Sequence, residues 1–521
     1  MPIKHSIQSL IVPIIIGIML IGLVFSKWLL SASQILLVLV VLSDKTYRKK
    51  LLEAFKSPLV IALISIYLFL VAGLMWTEDY RYAFKDLQIK LPMLSLVVIF
   101  YAIGPLKRNT SIYLLFFFVF CVFASSLIST INYYTSQSFP KAVIVGQSHI
   151  RFSLLVCLSI LIIIHYFNFF KSKAAKIFLV FIAVFLIYFL LILNSFTGYI
   201  VLASIVIFLP FLYWKKFKNR LQKILAITIP AITLSILIYG FLDVKNRCFP
   251  NNPMPDFSKN DIATANGNLY KFDSIEIKEN GNLVYEYISE IELVNSWNKI
   301  SSKKICIDSV HNNEFNIILR YLTSKNLRKD SVGISKLTES DIKYIEQGCP
   351  NFYLPTFDPY RKKIYVLLWE INFYKTTGNP NGLSFIQRCV YWKTALSIIK
   401  KHPIFGVGTG DIANSFKQEY ENNNTKLEEI FQLRSHNQYM SIAIQVGIIG
   451  LLIFLFSIFS PFIFNKIPDK ILYIGFIFIF LLSMLNEDTL ETQVGVTFYA
   501  LFNSFLLFIL PNKKDSENET K

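Results

Sequence analysis

Charged side chains are scarce in this chain, 17% of its 521 residues, against roughly a quarter in soluble domains. The charge present leans one way, with 52 Lys and Arg against 34 Asp and Glu. No basic stripe interleaved with stacking aromatics accompanies that excess, which argues against a nucleic-acid partner. No cluster of His, Cys, Asp and Glu has ligand spacing in the longest polar stretch, so neither a metal nor another cofactor is expected. Internal repeats are absent. The first apolar run has only Lys4 before it and no small-residue cleavage site after it, so it reads as a retained helix and not as a signal peptide.

What the chain does contain is apolar. Hydrophobic residues make up 54% and aromatic residues 15%, and the mean hydropathy is +0.49, a composition that belongs to a multi-pass membrane protein. Twelve runs approach the roughly 20 residues that a helix needs to cross a bilayer core: about 7–26, 28–42, 58–75, 91–105, 112–130, 150–170, 177–193, 198–213, 224–241, 439–464, 471–485 and 495–511. The expected fold is therefore all-α, with about twelve transmembrane helices. The second and fourth runs are short enough to be re-entrant or paired with a neighbour. Lys and Arg of alternate loops outnumber those of the remaining short loops by more than three to one, which puts both termini on the cytoplasmic side. On that basis residues 1–242 hold nine spans, 243–438 form one long outer loop, and 439–511 hold three more spans. The end of the chain, 512–521, reads as a disordered cytoplasmic tail. The net charge of +18 is then a matter of topology.

The outer loop has two parts. Residues 243–360 alternate strand-like runs such as "NLVYEYISEIEL" with turn signals and the helix-like "SDIKYIEQG", which predicts a small α+β insertion. Two of Cys248, Cys306 and Cys349 could pair there in an oxidising compartment. The second part, 384–438, carries amphipathic helices. In the stretch starting "SFIQRCVYWKTALSIIKK", Phe385, Cys389, Trp392, Leu396 and Ile399 draw one apolar stripe. Ser384 with Gln387 is a capping-box start, and Pro403 ends the helix. Arg388 flanks the stripe, either as a snorkelling side chain or as a group aimed at the membrane interface. The following "GVGTGD", 406–411, looks like a phosphate-cradling loop, yet a dinucleotide fingerprint needs a preceding strand and a glycine where Asp411 stands. A helix start that binds an anion is the other reading.

An arginine four residues before Trp392, then "HPIFGVGTGD", then "SHNQYMSIAIQVGIIGLLIF" together resemble the signature of the O-antigen ligase and O-antigen polymerase family. The likeness is best over residues 384–460, and the plan of twelve spans with one long outer loop agrees with it. The resemblance implies a metal-independent, membrane-embedded glycosyltransferase of the bacterial inner membrane, with its active site on the periplasmic face. The donor would be a glycan carried on undecaprenyl diphosphate. The acceptor would be lipid A core for a ligase, a growing glycan for a polymerase, or a protein hydroxyl. His436 and Arg388 match positions that the family treats as functional.

The chemistry of the residues points the same way. No ATP is available outside the cytoplasmic membrane, so the donor must arrive activated. A guanidinium can bond two diphosphate oxygens at once, and a histidine can take the acceptor's proton. One departure from the family pattern is the missing arginine of a Ser-Arg pair, since "LNSFTGYIV" at 193–201 has Phe196 or Thr197 instead. Arg151 is the expected substitute, with Arg434 and Lys141 behind it. Asn437, Glu487, Asp488 and Glu491 are candidates for orienting His436 or binding sugar hydroxyls. A transporter is the remote alternative, disfavoured because His165 is nearly alone as an ionisable residue within the apolar runs.

Overall fold

A computed structural model describes residues 2–136, 148–250, 262–273, 275–306 and 313–512. Residues 513–521 of the expected tail and Lys141 lie outside the described residues. Each of the twelve apolar runs falls on an apolar helix, as expected where no water is present to satisfy backbone groups. Among the described residues six helices are long and apolar enough to cross a membrane: Pro58–Trp76, Tyr80–Ile103, Arg108–Thr135, Lys173–Leu193, Arg220–Cys248 and Gln438–Ile463. The apolar helices Leu10–Phe25, His149–His165, Phe196–Leu212, Lys470–Met484 and Gln493–Ile509 are shorter.

Both short runs behave unusually. The helix Lys27–Ser43 meets Lys45–Ala54 at 105°, as in a broken span or a re-entrant loop. Asp44 sits at the bend and accepts the N–H groups of Thr46 and Tyr47. The fourth run joins the segment before it into the single apolar stretch Tyr80–Ile103. Asp86 and Lys90 thereby lie within a candidate span as a buried ion pair at 2.6 Å, so His165 is not nearly alone among ionisable groups in the apolar helices.

The chain divides into two compact units, Met1–Ala231 with Arg388–Lys521, and Ile232–Gln387. In the first unit the helix Gln438–Ile463 breaks at Val446 and Gly447, where Gly447 takes φ +71°. Residues 403–408 thread through the break. Val407 N–H donates to Ile444 O at 2.8 Å, Gly408 N–H to Gln445 O at 3.0 Å, and Ile448 N–H to Pro403 O at 2.9 Å. A Cβ on Gly447 would stand 1.9 Å from Ile404 O, so only glycine permits this approach. The break also explains why "HPIFGVGTGD" and "QVGIIG" occur together: each satisfies backbone groups that the other leaves open.

The second unit is more helical than its sequence suggests. Of "NLVYEYISEIEL", Asn282 and Leu283 pair as strand with Lys278 and Glu279, and Ile288 makes isolated bridges to Lys271 and Lys329. The helix Glu290–Ile300 begins inside the same stretch and buries Leu293, Val294 and Trp297. Helical spacing decides there because these three side chains reach one core with Phe315 and Leu322. "SDIKYIEQG" gives the helix Glu339–Glu346, opened by a capping box between Thr338 and Asp341. All six cysteines are free, which corrects the expected disulfide among Cys248, Cys306 and Cys349. The Cys349 thiol donates to Asn351 O at 3.2 Å, and Cys248 is buried among apolar side chains.

Candidate active site

Arg388 rides on the helix Ser384–Lys401. That helix starts at Ser384 itself, and the Phe385 N–H is taken by Glu370 Oε2 at 2.7 Å, so the expected capping box does not form. Pro403 lies just past its end. The apolar stripe read from the sequence is also displaced: Phe385, Cys389 and Leu396 are exposed, while Tyr391, Ala395 and Ile398 are buried. Tyr391 faces inward because its hydroxyl reaches Phe431 O at 2.7 Å. One turn beyond Arg388, Trp392 Nε1–H donates to Ser435 O at 3.0 Å, which ties this helix to the residue before His436.

His436 has φ +48°, the left-handed region that a non-glycine residue rarely enters. Its neighbours hold it there. The Ser435 hydroxyl bonds Asn437 O at 3.0 Å and Ser441 Oγ at 2.9 Å. Asn437 caps the helix Gln438–Ile463 by accepting the Met440 N–H at 3.1 Å, and its Nδ2 donates to Leu485 O at 3.0 Å. Asn437 is thus committed to backbone, leaving His436 to project. Among the described residues neither ring nitrogen of His436 is hydrogen-bonded, and the imidazole lies 5.9 Å from the Tyr391 ring, centroid to centroid. A strained residue over-determined by its neighbours is a common mark of a functional position.

Around this imidazole the fold gathers the charges that the sequence singled out. Arg388 Nη1 donates to Asn486 O at 3.1 Å and to the Asn486 side-chain oxygen, and Nη2 meets Glu487 Oε1 at 3.2 Å. Arg434 Nη1 reaches Tyr82 OH at 2.6 Å and Glu491 Oε2 at 3.2 Å. Asp488 accepts the Ser441 hydroxyl at 2.7 Å. Arg151, near the start of the helix His149–His165, feels the charges of Glu487 and Asp488. Its Nε is buried without a hydrogen-bond partner among the described residues. The stretch "LNSFTGYIV" lies close by: Thr197 Oγ1 accepts Asn486 Nδ2 at 3.2 Å, and Ser195 Oγ donates to Ser153 Oγ at 3.3 Å. Gly198 permits that contact, since a Cβ on it would come 2.8 Å from Ser153 Cβ. Arg151 therefore sits one helix away from where the family pattern would put its arginine. An open cavity of about 880 Å³ is lined by His436, Arg434 and Asp488 together with Tyr82 and Lys417.

The electrostatics of the cluster differ from group to group. Burial lowers the pKa of His436 below 6.5; Asp488 opposes this, and Arg388, Arg434 and Arg151 reinforce it. Burial raises Glu487 and Asp488 above the ordinary carboxylate range, with nearby arginines pulling each back down. Burial would raise Glu491 too, but Lys90 and Arg434 hold it at about 2. Glu491 is thus a fixed anion whose partners are cations, whereas Asp488 is the carboxylate that His436 feels.

The "GVGTGD" loop spends three of its amides on the fold. Besides the Val407 and Gly408 amides, the Gly410 N–H is taken by Thr77 Oγ1 at 2.8 Å, and Asp411 accepts the N–H groups of Glu78 and Asp79 at 2.8 and 2.9 Å.

Sequence reasoning missed the support beneath Glu491. Lys90 Nζ reaches Glu491 Oε1 at 3.0 Å, Gln438 Nε2 donates to the same oxygen at 3.1 Å, and Gln445 Nε2 donates to Asp86 Oδ2 at 3.2 Å. The available signal was "DLQIK", an acid and a lysine four residues apart in an otherwise apolar stretch, which a membrane helix tolerates when the two are paired. Among the described residues no group of three or more His, Cys, Asp or Glu is placed to hold a metal ion. No curated protein matches the chain. Residues 352–455, which carry Arg388, the 403–411 loop, His436 and the first turns of the broken helix, match the family model described as O-antigen ligase.

Proposed function

We propose that the protein is an O-antigen ligase-like glycosyltransferase of the bacterial inner membrane that acts at its periplasmic face. It moves a glycan from an undecaprenyl-diphosphate carrier to a hydroxyl of lipid A core. The acceptor oxygen attacks the anomeric carbon, the bond from that carbon to the phosphate oxygen breaks, and undecaprenyl diphosphate leaves. The acceptor's proton passes to His436. The observation that carries this reading is the convergence of Arg388, Arg434 and Arg151 on one projecting imidazole.

Each part has a physical task. An imidazole with a lowered pKa is neutral at pH 7 and ready to accept a proton. The guanidinium groups balance the growing charge of the leaving diphosphate, and a fork that bonds two oxygens fixes its orientation. With that charge supplied by arginine, the transfer is metal-independent. Asp488 stabilises the imidazolium once formed, Glu487 steers Arg388, and Glu491 steers Arg434.

The glycan profile of a deletion strain tests the assignment. Free lipid A core without long chains is the expected result. Single repeat units on core would instead identify a polymerase, and loss of glycan from protein with lipid-linked chains intact would identify a protein glycosyltransferase.

A further inference from the structure

The smaller unit holds a second cavity, remote in chemistry from the His436 cluster. The last turns of the apolar helix Arg220–Cys248 pack on the helix Pro359–Thr377: Tyr360 OH donates to Leu237 O at 3.0 Å, and Arg361 pairs with Asp243 at 3.3 Å. Beside this contact opens a groove of about 500 Å³. Phe241, Trp369 and Phe373 supply apolar surface, Lys245, Lys278 and Lys375 supply cations, and Glu276 is the one carboxylate in the lining. Among the described residues none of the three ammonium groups has a hydrogen bond or an ion pair. Glu276 in the lining and Glu286, which Lys278 feels, offset only part of the charge of three lysines, and an anion would balance the remainder.

The setting identifies the kind of anion. The helix that forms one wall is a candidate membrane span, and only 17% of its apolar window is covered by protein, so most of its sides meet lipid. Its end, with tyrosine and tryptophan alongside, belongs at the membrane interface where such rings gather. Basic pockets beside membrane helices suit anionic head groups. A free phosphate ion would gain nothing from the three rings, whereas a lipid places its first methylenes against them.

We propose that this groove binds an anionic phospholipid, its phosphate held by Lys245, Lys278 and Lys375 and its upper chain resting on Phe241, Trp369 and Phe373. The site takes no part in glycan transfer and depends on none of the residues assigned to it.

The test uses the full-length protein in nanodiscs of phosphatidylcholine and phosphatidylglycerol in equal parts, with retained lipid read by native mass spectrometry after release. Phosphatidylglycerol should be retained at least tenfold over phosphatidylcholine. The triple variant Lys245→Ala, Lys278→Ala, Lys375→Ala should lose that preference, and the matching triple arginine variant should keep it, which separates loss of charge from loss of fold. Equal retention of the two lipids, or a preference unchanged in the triple alanine variant, overturns the proposal. So does displacement of phosphatidylglycerol by millimolar inorganic phosphate or by a soluble acidic oligosaccharide, because either would mark a site for a free anion or a sugar.

Discussion

Two buried charge clusters in this molecule use the same residue types and differ in how fully they are satisfied. In the smaller unit Glu279 accepts Arg320 Nε at 2.6 Å, Tyr365 OH at 2.8 Å and Asn351 Nδ2 at 2.9 Å. The Arg320 guanidinium lies 4.0 Å over the Trp369 ring. That cluster is closed, and a closed polar network rigidifies its surroundings. In the helical unit Arg388 and Arg434 also have partners, but the His436 ring has none and Arg151 Nε has none among the described residues. Burial there displaces the titration of His436, Glu487 and Asp488 without a full set of bonds in return. Open valences beside a cavity mark a place built for a ligand.

Substitutions can break this contrast. The largest effect should come from His436→Ala: a rate loss of roughly 10²- to 10⁴-fold, the usual share of a general base, with donor binding intact. Purified protein with a synthetic lipid-linked donor gives the measurement, and wild-type turnover would remove His436 from the chemistry. Arg320→Ala should behave in the opposite way. Removing one member of a satisfied buried pair costs about 3–5 kcal/mol of stability, so Tm should fall while turnover per folded molecule stays the same. A specific loss of kcat without a lower Tm would mean the Glu279 cluster is not merely structural.

Smaller effects sharpen the comparison. Arg388→Lys keeps the charge but cannot span two oxygens, and Arg151→Ala removes a charge-assisted bond of about 1.5–3 kcal/mol. Both should raise the donor KM, by roughly 10- to 100-fold for Arg151→Ala on that scale. Near-normal donor use by Arg151→Ala would return it to the role of a helix-end residue. The smallest shift concerns pH. Because burial and three arginines lower the His436 pKa, its neutral form persists below 6.5, and kcat/KM should fall only as pH drops through that depressed value. Bound diphosphate adds negative charge beside the imidazole, so the acid limb of kcat should lie at higher pH than that of kcat/KM. A free-enzyme limb at or above 6.5, or one that survives His436→Ala, contradicts the assignment.

Much of this protein was legible along the chain. Apolar runs determine helices because a backbone in lipid must satisfy itself, and each of the twelve runs is a helix. His436, Arg388 and the acidic "NEDTLE" stretch were visible because polar side chains next to apolar runs are costly to place without a use. Pro403 ended its helix as expected, since proline lacks the N–H that continuation needs. None of these judgements required knowing what lies across the bundle.

Tertiary structure alone decided the rest. Arg151 and Arg388 are far apart in sequence, yet in the fold both feel the charge of Glu487. The break at Gly447 depends on a segment some forty residues earlier supplying the missing backbone partners, which no local preference encodes. Lys90 acquires its role only from Glu491, about four hundred positions away, which it meets at 3.0 Å. The exposed stripe of Phe385, Cys389 and Leu396 was misread because helical spacing shows which residues share a face but not whether that face meets protein or lipid. Local periodicity is a property of the chain, whereas the partner of a buried charge is a property of the fold, because electrostatic satisfaction depends on distance in space and not on distance in sequence.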